Sequence, residues 1–586
     1  MPSSPLEPFS HKLCDVNAKA IPDRQFNVNQ NEASSKPRVP LLILASGPVS
    51  ANLVGDLGPI LASNIPLSNS LSLFLLLENA GVEYKDVYVT LDYSKKEIGE
   101  LLLRKFPEIQ VQFSDSENTF SETLMEFLNE KGKNLEKLDI VFGDTLVTSL
   151  FTLNIESNII LVASNTDSTN WDKIHRDNHG GLEILWKGSH YGEAGTITGG
   201  FRILDVQLIK QFLFEELREI VIKPSSNVRS SAFYDALLKY DELDNHRIEL
   251  VEDEHWADIG HLDTYFNQRR KSLALSFRVF NSVIFDLEND WVIKTGNLEK
   301  IQNEFLWFTE LPKELRIFVP SFASGSSENE YMTQFVQNTP VSDSWISENT
   351  DDSYWVGLIE SIKNLTFRFK QHEDTIPIEA QHGHKYSIYV EKVIERFEEL
   401  QQNFLDATNL SQKFKINGQY MPPVEEIFNT ILEVGQRVSK LDGWNLIHGD
   451  LCFSNLFFDQ RARKLMLIDP RGSFGKNGVH GDPLYELLKL SQCALGDYDY
   501  LATNLYDLKR SNNEFDLFVP NPESHRNIKS MFLEYFQEEL VACGISTQEF
   551  RILEAGLFLS AAPLHGENDR VWALFTKACH IVEQNL

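Results

Sequence analysis

The stretch IHGDLCFSNLFFD, from Ile447 to Asp459, and the segment LMLIDPRG that follows it, from Leu465 to Gly472, decide the fold of the C-terminal half. Asp450 and Asn455 lie close together in one loop, and Asp469 ends a short apolar strand. Phosphoryl transfer needs a carboxylate to orient the attacking hydroxyl, oxygen ligands for magnesium and a cation to position the donor. Asp450 supplies the carboxylate, and Asn455 and Asp469 are the candidate ligands.

The candidate cation lies upstream of these motifs. FNSVIFDLENDWVIK, from Phe280 to Lys294, predicts two strands joined by a turn at Glu288–Asp290. Lys294 ends the second strand, and a helix is predicted from Leu298 to Thr309. Glu304 on that helix is placed to hold Lys294 by an ion pair. Lys294 is therefore the candidate for contact with the donor phosphates.

The order of HGDLCFSN, IDPRG and GDPLYELLKL (Gly481 to Leu490) resembles the aminoglycoside phosphotransferase and choline kinase superfamily. The resemblance covers residues 275–586 and implies an α+β, protein-kinase-like domain. Its N-lobe would span about 275–340 and its C-lobe about 341–586. The turn from Leu287 to Asp290 departs from the protein-kinase pattern because it has no glycine, although members of this superfamily often manage without one.

The resemblance implies one role for each matched residue, with ATP as donor and Mg²⁺ as cofactor. Asp450 would be the catalytic base, and Asn455 and Asp469 would bind magnesium. The residues that would position ATP are Lys294, Glu304, and Tyr331 and Met332 in the lobe-joining segment ENEYMTQFV (Glu328 to Val336). His448 would be structural, and Asp482 would brace the catalytic loop through hydrogen bonds to its backbone.

The N-terminal half alternates between apolar strands and amphipathic helices. VPLLILAS, from Val39 to Ser46, predicts a strand buried on both faces. Further predicted elements are a helix at Asn69–Gly81, a strand at Asp86–Asp92, a helix at Lys95–Phe106, and strands at Leu138–Asp144 and Asn158–Ser164. This alternation predicts a doubly wound α/β sheet, whose ligands bind beyond the carboxyl ends of the strands. Ser46, Gly47 and Asp144 would lie there.

Three N-terminal segments resemble the sugar-phosphate nucleotidyltransferases. They are LDIVFGDTL, which contains Asp144, TGGFRILD (Thr198 to Asp205), and HWADIGHLDTY (His255 to Tyr265), which contains Asp258. The resemblance implies that Asp144 and Asp258 bind one Mg²⁺, which would hold a nucleoside phosphate beside a phosphosugar. CTP and UTP are the candidate nucleotides.

The phosphate loop departs from that family, whose loop runs Gly-Gly-x-Gly-x-Arg and leads to a Pro-Lys. The aligned stretch here is Ala45–Pro66, and residues 39–84 contain no Lys or Arg. Backbone amides at Ser46 and Gly47 are candidates for binding the nucleotide phosphates, and Lys187 is a candidate cation. Either the domain makes a nucleotide-linked product, or it has lost catalysis and binds a nucleotide sugar or organises the kinase.

Composition limits the other possibilities. The formal net charge of -31, from 85 acidic and 54 basic residues, disfavours binding to nucleic acid or anionic membranes. The five cysteines form no CxxC pair, which favours a reducing cytosol without a zinc site or disulfides. The apolar run Leu73–Leu77 is far shorter than the ~20 residues of a membrane span. We expect a cytoplasmic protein without membrane insertion.

Three regions are predicted along the chain. Residues 1–37 are rich in Ser, Pro and Asn and predict a disordered tail. Residues 38–270 form the nucleotidyltransferase-like domain and 275–586 the phosphotransferase domain, with a break near Arg269–Arg270–Lys271.

The favoured function is an ATP-dependent phosphotransferase that acts on a sugar or amino alcohol. Fused to a nucleotidyltransferase-like domain, it would supply activated precursors for surface polysaccharide, in capsule or lipopolysaccharide. The alternatives are a kinase with an inactive N-terminal nucleotide-sugar-binding domain, an antibiotic-type phosphotransferase or protein kinase, and a binding protein made of two pseudoenzymes.

Overall fold

The computed structural model describes residues 39–67, 70–80, 86–152, 156–164, 170–187, 194–222, 232–275, 281–286, 289–374, 376–405, 412–474, 478–511, 513–565 and 569–586. From Pro40 to Leu586 the chain forms one compact unit. The predicted tail at 1–37 lies outside the described residues, as do parts of the predicted turn at Leu287–Asp290 and of the predicted helix at Asn69–Gly81.

The first part of the compact unit is built on a mixed β-sheet. Its elements are β1 (Leu41–Leu44), α1 (Ala51–Leu57), β2 (Pro66–Leu67), β3 (Ser70–Leu71), α2 (Ser72–Ala80), β4 (Val87–Asp92), α3 (Lys96–Lys105), β5 (Gln110–Ser114), α4 (Phe120–Asn129), β6 (Leu138–Phe142), β7 (Thr145–Leu146), α5 (Ser149–Thr152), β8 (Asn158–Ala163), β9 (Lys173–Arg176), β10 (Leu182–Leu185), β11 (Gly195–Ile203), α6 (Val206–Ile222), α7 (Ala232–Asp241), β12 (Ile248–Glu252), β13 (Ala257–Asp258) and α8 (Leu262–Leu275).

The sheet is covered on both faces, which confirms the α/β alternation predicted for this region. Its strand order is β10-β9-β11-β6-β1-β4-β5, with β8 beside β11 and β12 beside β8. β1 pairs in parallel with β4 and β6, whereas β11 runs antiparallel to its neighbours. Leu41 and Ile43 pack into one hydrophobic core, and Leu42 and Leu44 pack into the other. Because strand side chains alternate between faces, a continuous apolar run belongs to a strand that is buried on both sides.

The second part begins with a four-stranded antiparallel sheet in the order β14-β15-β17-β16, followed by a helix-rich region. Its elements are β14 (Asn281–Asp286), β15 (Trp291–Gly296), α9 (Leu298–Glu310), β16 (Phe322–Ser324), β17 (Glu330–Gln334), α10 (Val341–Ser347), α11 (Asp352–Phe369), α12 (Ile378–Tyr386), α13 (Lys392–Asn403), β18 (Phe414–Ile416), β19 (Gln419–Met421), α14 (Val424–Val438), β20 (Asn445–Leu446), β21 (Leu456–Asp459), β22 (Lys464–Leu467), β23 (His480–Gly481), α15 (Pro483–Ala494), α16 (Tyr498–Ala502), β24 (Asp507–Ser511), β25 (Glu514–Phe518), α17 (Glu523–Cys543), α18 (Thr547–Ala561) and α19 (Asp569–Glu583).

The basic triplet Arg269–Arg270–Lys271, near which the sequence predicts a break, lies inside α8. Arg269 is buried, forms an ion pair with Asp343 at 3.4 Å and donates to the Asn338 carbonyl at 3.2 Å. The guanidinium of Arg269 is therefore buried in an ion pair rather than exposed to water. The domain limits 38–270 and 275–586 remain a prediction.

The two parts are in direct contact near the N-terminal strand β1. The Asn349 side chain donates to the Leu57 carbonyl at 2.6 Å, and the Asn349 carbonyl lies against Gly58. Gly58 has φ of 89°, so a larger residue would be strained there as well as blocked. Lys95 and Glu348 form a buried ion pair at 3.1 Å. The segment that follows β1 is therefore held by the second part of the chain.

Within the described part of the chain, no helix combines the length and the apolar character required to cross a bilayer.

Candidate functional site

Lys294 and Glu304 form a buried ion pair, as the sequence predicts. Lys294 on β15 and Glu304 on α9 approach to 2.7 Å, and Glu304 is 1% exposed. The Tyr331 hydroxyl donates to the same carboxylate at 3.0 Å. Lys294 also contacts the carboxylate of Asp469. Burial opposes the charge on Lys294, but Asp469 and Glu304 outweigh burial and raise its pKa, so the ammonium stays charged.

Asp450 and Asn455 lie in one loop between β20 and β21. The Asn455 amide donates to the Asp450 carbonyl at 2.9 Å and to its carboxylate at 3.2 Å. The other carboxylate oxygen of Asp450 lies 3.0 Å from the Lys489 ammonium. Burial alone would raise the pKa of Asp450, but Lys489 and other cations lower it to about 2. With this low pKa the carboxylate is ionised at neutral pH. Because 39% of its side chain is exposed, it is also accessible to a small molecule.

Asp469 links the loop of Asp450 to Lys294. It follows β22 in a left-handed backbone conformation with φ of 60°, which is uncommon outside glycine and is concentrated at functional sites. Its carboxylate interacts electrostatically with that of Asp450. Gly472, with φ of 70°, lies against the backbone of Asn303 and Glu304, where a side chain would collide. This close approach brings α9 and the Asp469 segment together.

The oxygen atoms of this site fit magnesium, which prefers carboxylate and amide oxygens, phosphate and water. Asn455 and Asp469 are the residues that would hold the ion. Among the described residues, no three His, Cys, Asp or Glu side chains gather into a metal site on their own. A magnesium ion here would therefore be completed by the amide of Asn455, by water and by phosphate oxygens.

An apolar cavity of about 210 Å³ lies beside Lys294. Its lining includes Val283, Phe285, Val292, Tyr331, Thr333, Phe335, Phe457 and Ile468, together with Lys294 and Asp469. Met332, predicted to bind the nucleotide, is not among the lining residues, whereas Tyr331 and Thr333 are. Alternate residues of β17 face opposite sides of the sheet, and the role of Met332 in nucleotide binding stays a prediction. Phe457 and Ile468 were missed, although both belong to the quoted motifs.

His448 is buried, with its ring 5.4 Å from that of Trp307, and its structural role stays a prediction. The role predicted for Asp482 is corrected. Glu486 is the carboxylate that accepts the backbone N–H groups of His448 and Gly449, at 2.9 and 2.7 Å. Burial raises the pKa of Glu486 to about 7 despite these two bonds.

Asp482 caps the helix that carries Glu486. Its carboxylate accepts the Leu484 N–H at 3.2 Å and the Tyr389 hydroxyl at 2.8 Å, and it pairs with Lys385 at 3.2 Å. Asp482 is the N-cap residue of α15, so its carboxylate accepts a hydrogen bond from a free N–H group of the first helical turn. Glu486 lies one turn further along α15 and faces the neighbouring loop. The motif GDPLYELLKL contains Glu486 as well as Asp482, so the sequence already contained a second candidate for this role.

A second, larger cavity of about 1120 Å³ opens at the carboxyl ends of β1 and β6. Ser46, Gly47, Asp144, Asp258 and Lys187 all line it, so the structure brings together the residues singled out in the N-terminal half. β13 pairs with β7, which sets Asp258 opposite Thr145 and next to Asp144. Lys187 is the only Lys or Arg among the described lining residues.

Asp144 and Asp258 form a pair of like charges in this cavity. Burial, followed by the charge of Asp258, raises the pKa of Asp144 to about 6. The Asp258 carboxylate accepts the Gly260 N–H at 3.1 Å and contacts His261 at 3.0 Å and Thr264. Two neighbouring buried carboxylates fit a divalent cation, because the cation would relieve their repulsion.

Aromatic side chains form much of the remaining wall and were not predicted. The ring centroid of Trp171 lies 5.3 Å from those of Trp256 and His261, and the ring centroid of Trp186 lies 6.3 Å from that of Tyr234. Apart from Trp256 and His261, which share one quoted segment, these residues are separated in the sequence and follow no common spacing. Only the fold indicates that they share one cavity.

No family model matches the chain, and a search of curated proteins finds no match. Three of the similar solved structures are a proposed glucose-1-phosphate thymidylyltransferase from Bacillus anthracis, a nucleoside-diphosphate-sugar pyrophosphorylase from Vibrio cholerae RC9 and the CTP:phosphocholine cytidylyltransferase of Streptococcus pneumoniae. All three are 13% identical to this chain; they cover 41%, 39% and 40% of it and 98%, 99% and 99% of their own lengths, with TM-scores of 0.32, 0.31 and 0.31. Similarity at this level carries no argument about fold or function.

Proposed function

We propose that the C-terminal half transfers the γ-phosphoryl group of ATP to a hydroxyl of a small molecule. One observation carries the proposal. Lys294 contacts both Glu304 and Asp469, while Asp450 and Asn455 occupy the adjoining loop. A donor-positioning cation, an ionised carboxylate and oxygen ligands thus meet in one place, which is the set of parts that phosphoryl transfer requires.

The geometry supports a division of roles at this site. Asp450 is ionised and accessible, so it can accept a hydrogen bond from the acceptor hydroxyl and orient its oxygen toward the phosphorus. Lys294 would bind the donor phosphates, and Glu304 would hold its ammonium in place. Magnesium, bound through Asn455 and Asp469, would offset charge on the phosphates.

The apolar cavity beside Lys294 supports a nucleotide donor. Its volume of about 210 Å³ and its aliphatic and aromatic lining suit a purine base, with Lys294 and Asp469 at the end where phosphates would leave it. The acceptor would then approach Asp450 from the side opposite the nucleotide. A pseudoenzyme is disfavoured because Asp450, Asn455 and Asp469 are all present in one site.

For the N-terminal cavity we propose binding of a nucleotide or nucleotide sugar, with CTP and UTP as candidates. Its volume, its aromatic walls and the Asp144–Asp258 pair support this binding. Turnover would need charge compensation for the triphosphate, and Lys187 is the cation available among the described lining residues. Together the two sites would phosphorylate a sugar or alcohol in the cytoplasm and activate it, as a precursor of surface polysaccharide.

The test uses the full-length protein incubated with ATP, Mg²⁺, CTP or UTP and a set of sugars and alcohols, with products identified by mass spectrometry. We expect a phosphorylated acceptor that disappears in Asp450→Asn and persists in Asp144→Asn. A nucleotide-linked product should disappear in both. Asp569→Asn, at a side chain 67% exposed on α19, is the control. ADP release that is equal in wild type and Asp450→Asn would overturn the proposal.

A further inference from the structure

Basic side chains converge beside Asp450, although the chain as a whole carries a net charge of -31. Lys489 on α15 lies 3.0 Å from the Asp450 carboxylate. Arg471, which follows Asp469 in the chain, donates to the hydroxyl oxygen of Tyr485 at 3.0 Å. Tyr485 and Lys489 are one turn apart on α15, so they share a helix face. Helix α15 and the segment after Asp469 therefore each carry a cation beside the loop of Asp450.

Lys392, the first residue of α13, joins this group. The Tyr485 oxygen favours its charged form, but burial and the nearby cations Arg471 and Lys489 lower the pKa of Lys392. Conversely, burial would raise the pKa of Tyr485, but Arg471, Lys392 and Lys489 lower it. The geometry agrees, because the ring of Tyr389, three residues before Lys392, lies 6.4 Å from that of Tyr485, the residue that Arg471 contacts.

Two cations of this cluster have no carboxylate partner in the part of the chain that the structure describes. Within the described residues, no carboxylate lies within ion-pair distance of Lys392 or Arg471. The nearby Arg396 is already paired with Glu399 at 2.6 Å. Of these three cations, only Lys489 has a carboxylate within ion-pair distance among the described residues, that of Asp450. Gathering like charges away from bulk water costs free energy unless an anion binds among them.

We infer that the phosphoryl acceptor carries a negative charge, a carboxylate or a phosphate, which Arg471 and Lys392 bind while its hydroxyl meets Asp450. This inference rests on the proposed phosphotransferase function. The guanidinium of Arg471 presents a planar fork that matches both kinds of anion, and Lys392 adds a point charge. Lys489, in contact with Asp450, is closer to the transferred group. The cluster would repel a cationic acceptor such as an amino alcohol or an aminoglycoside.

The reaction balances without a further reactant. A bond forms between the acceptor oxygen and the γ-phosphorus of ATP, and the bond from that phosphorus to the β–γ bridging oxygen breaks. The hydroxyl proton passes to Asp450 and then to water. The products are ADP and an acceptor with one more phosphate than before, which the N-terminal cavity would meet as a compound with two anionic groups.

The test compares matched acceptors with the full-length protein at saturating ATP. Glycerate and gluconate carry carboxylates, glycerol 3-phosphate and glucose 6-phosphate carry phosphates, glycerol and glucose are neutral, and choline and ethanolamine are cationic. ADP release and product mass are measured for each. We expect only anionic acceptors to stimulate ADP release, and the two anionic arms identify which anion is preferred.

Variants tie the result to the cluster. Lys392→Gln and Arg471→Gln should each raise the KM for the acceptor by about tenfold to a hundredfold, as expected for one lost charge-assisted hydrogen bond. Their KM for ATP should change by less than about twofold, as in the control Lys509→Gln, at an exposed residue of β24. Circular dichroism checks folding, and Arg471→Lys should restore part of the affinity.

The outcomes separate the two proposals. Phosphorylation of a neutral or cationic acceptor in preference to the anionic ones, abolished by Asp450→Asn, would keep the phosphotransferase and remove the anionic acceptor. A raised KM for ATP in place of that for the acceptor would also overturn the inference, because the cluster would then serve the donor. If no acceptor is phosphorylated, thermal shift with glycerate and glycerol 3-phosphate decides, and the absence of binding contradicts the inference.

Discussion

The ammonium of Lys294 lies 2.7 Å from the Glu304 carboxylate, and the same ammonium contacts Asp469, which is 175 residues further along the chain. The contact joins the four-stranded sheet, helix α9 and the loop that follows β22. If any one of these elements were displaced, a buried charged side chain would lose its partner of opposite charge. The ion pair thus holds the proposed donor site in one arrangement.

Replacing Lys294 with Met should lower kcat/KM for ATP by about a hundredfold or more, because a preorganised cation would be lost from the donor phosphates. Lys300→Met is a matched control, since Lys300 also lies near Glu304, at 3.7 Å, but is 52% exposed. An exposed pair contributes little, so this variant should differ from wild type by less than about threefold. Steady-state ADP release at varied ATP measures both. Equal losses in the two variants would contradict the assignment.

Glu486→Gln should lower kcat strongly, since glutamine cannot accept two backbone N–H groups with two oxygens, and one N–H of the catalytic loop would be left unpaired at a cost of about 1–3 kcal/mol. Asp482→Asn should instead lower stability while leaving kcat near that of wild type, because Asp482 serves a helix end and Lys385. Urea unfolding and initial rates of both variants separate the two roles. A larger loss of kcat in Asp482→Asn would support the original assignment to Asp482.

The raised pKa of Glu486 also makes the free energy of unfolding depend on pH. Its pKa of about 7 in the folded protein is above its ordinary value, so the folded state holds the proton more tightly than the unfolded state. The stability contribution of this group is present below about pH 4.5 and is lost as pH rises through about 7. The difference in unfolding free energy between wild type and Glu486→Gln should therefore become smaller as pH rises from 5 to 8.

Asp144→Asn should stabilise the metal-free protein at pH 8 and have less effect at pH 5. The pKa of Asp144, about 6, is raised by burial and by Asp258, so its stability contribution is lost as pH rises from about 4 through 6. A shift of this size corresponds to a gain of up to about 3 kcal/mol in the variant at pH 8. Urea unfolding in EDTA measures it.

The same variant tests divalent-cation binding at the N-terminal cavity. Mn²⁺ should raise the melting temperature of wild type at pH 8, less so below about pH 6 where protons compete for Asp144, and not in Asp144→Asn. Asp177→Asn, at an exposed aspartate outside the cavity lining, is the control and should respond as wild type does. An unchanged Mn²⁺ response in Asp144→Asn would show that the carboxylate pair holds no metal.

Lys95→Met should destabilise the protein by about 3–5 kcal/mol, because it leaves the buried carboxylate of Glu348 without its partner. Both side chains are only 6% exposed, and they join the two parts of the compact unit. Glu100→Gln, which breaks the exposed pair with Arg104, should cost less than about 1 kcal/mol. Urea unfolding followed by tryptophan fluorescence compares them. Equal effects would mean that the buried pair contributes no more than a surface pair.

The sequence predicted the strands and helices of the N-terminal region because their signals are local. The apolar run at β1 and the amphipathic pattern of α3 are read within a few neighbouring residues. The positions of Ser46, Gly47 and Asp144 followed from the same signal, since parallel strands end at one edge of the sheet. The burial of Arg269 could not be predicted in this way, because a basic triplet does not reveal whether its charges are buried against a distant acid.

The sequence by itself determined the succession of strands and motifs along the chain. It also provided Asp450, Asn455, Asp469 and Lys294 as the candidate site residues of the C-terminal half. Only the tertiary structure decided that Glu486, and not Asp482, holds the loop of Asp450, and that Arg471 lies against that loop at Gly449. The physical reason is that strand and helix periodicity is fixed by adjacent residues. The partner of a buried charge, by contrast, depends on which helix face packs against which loop.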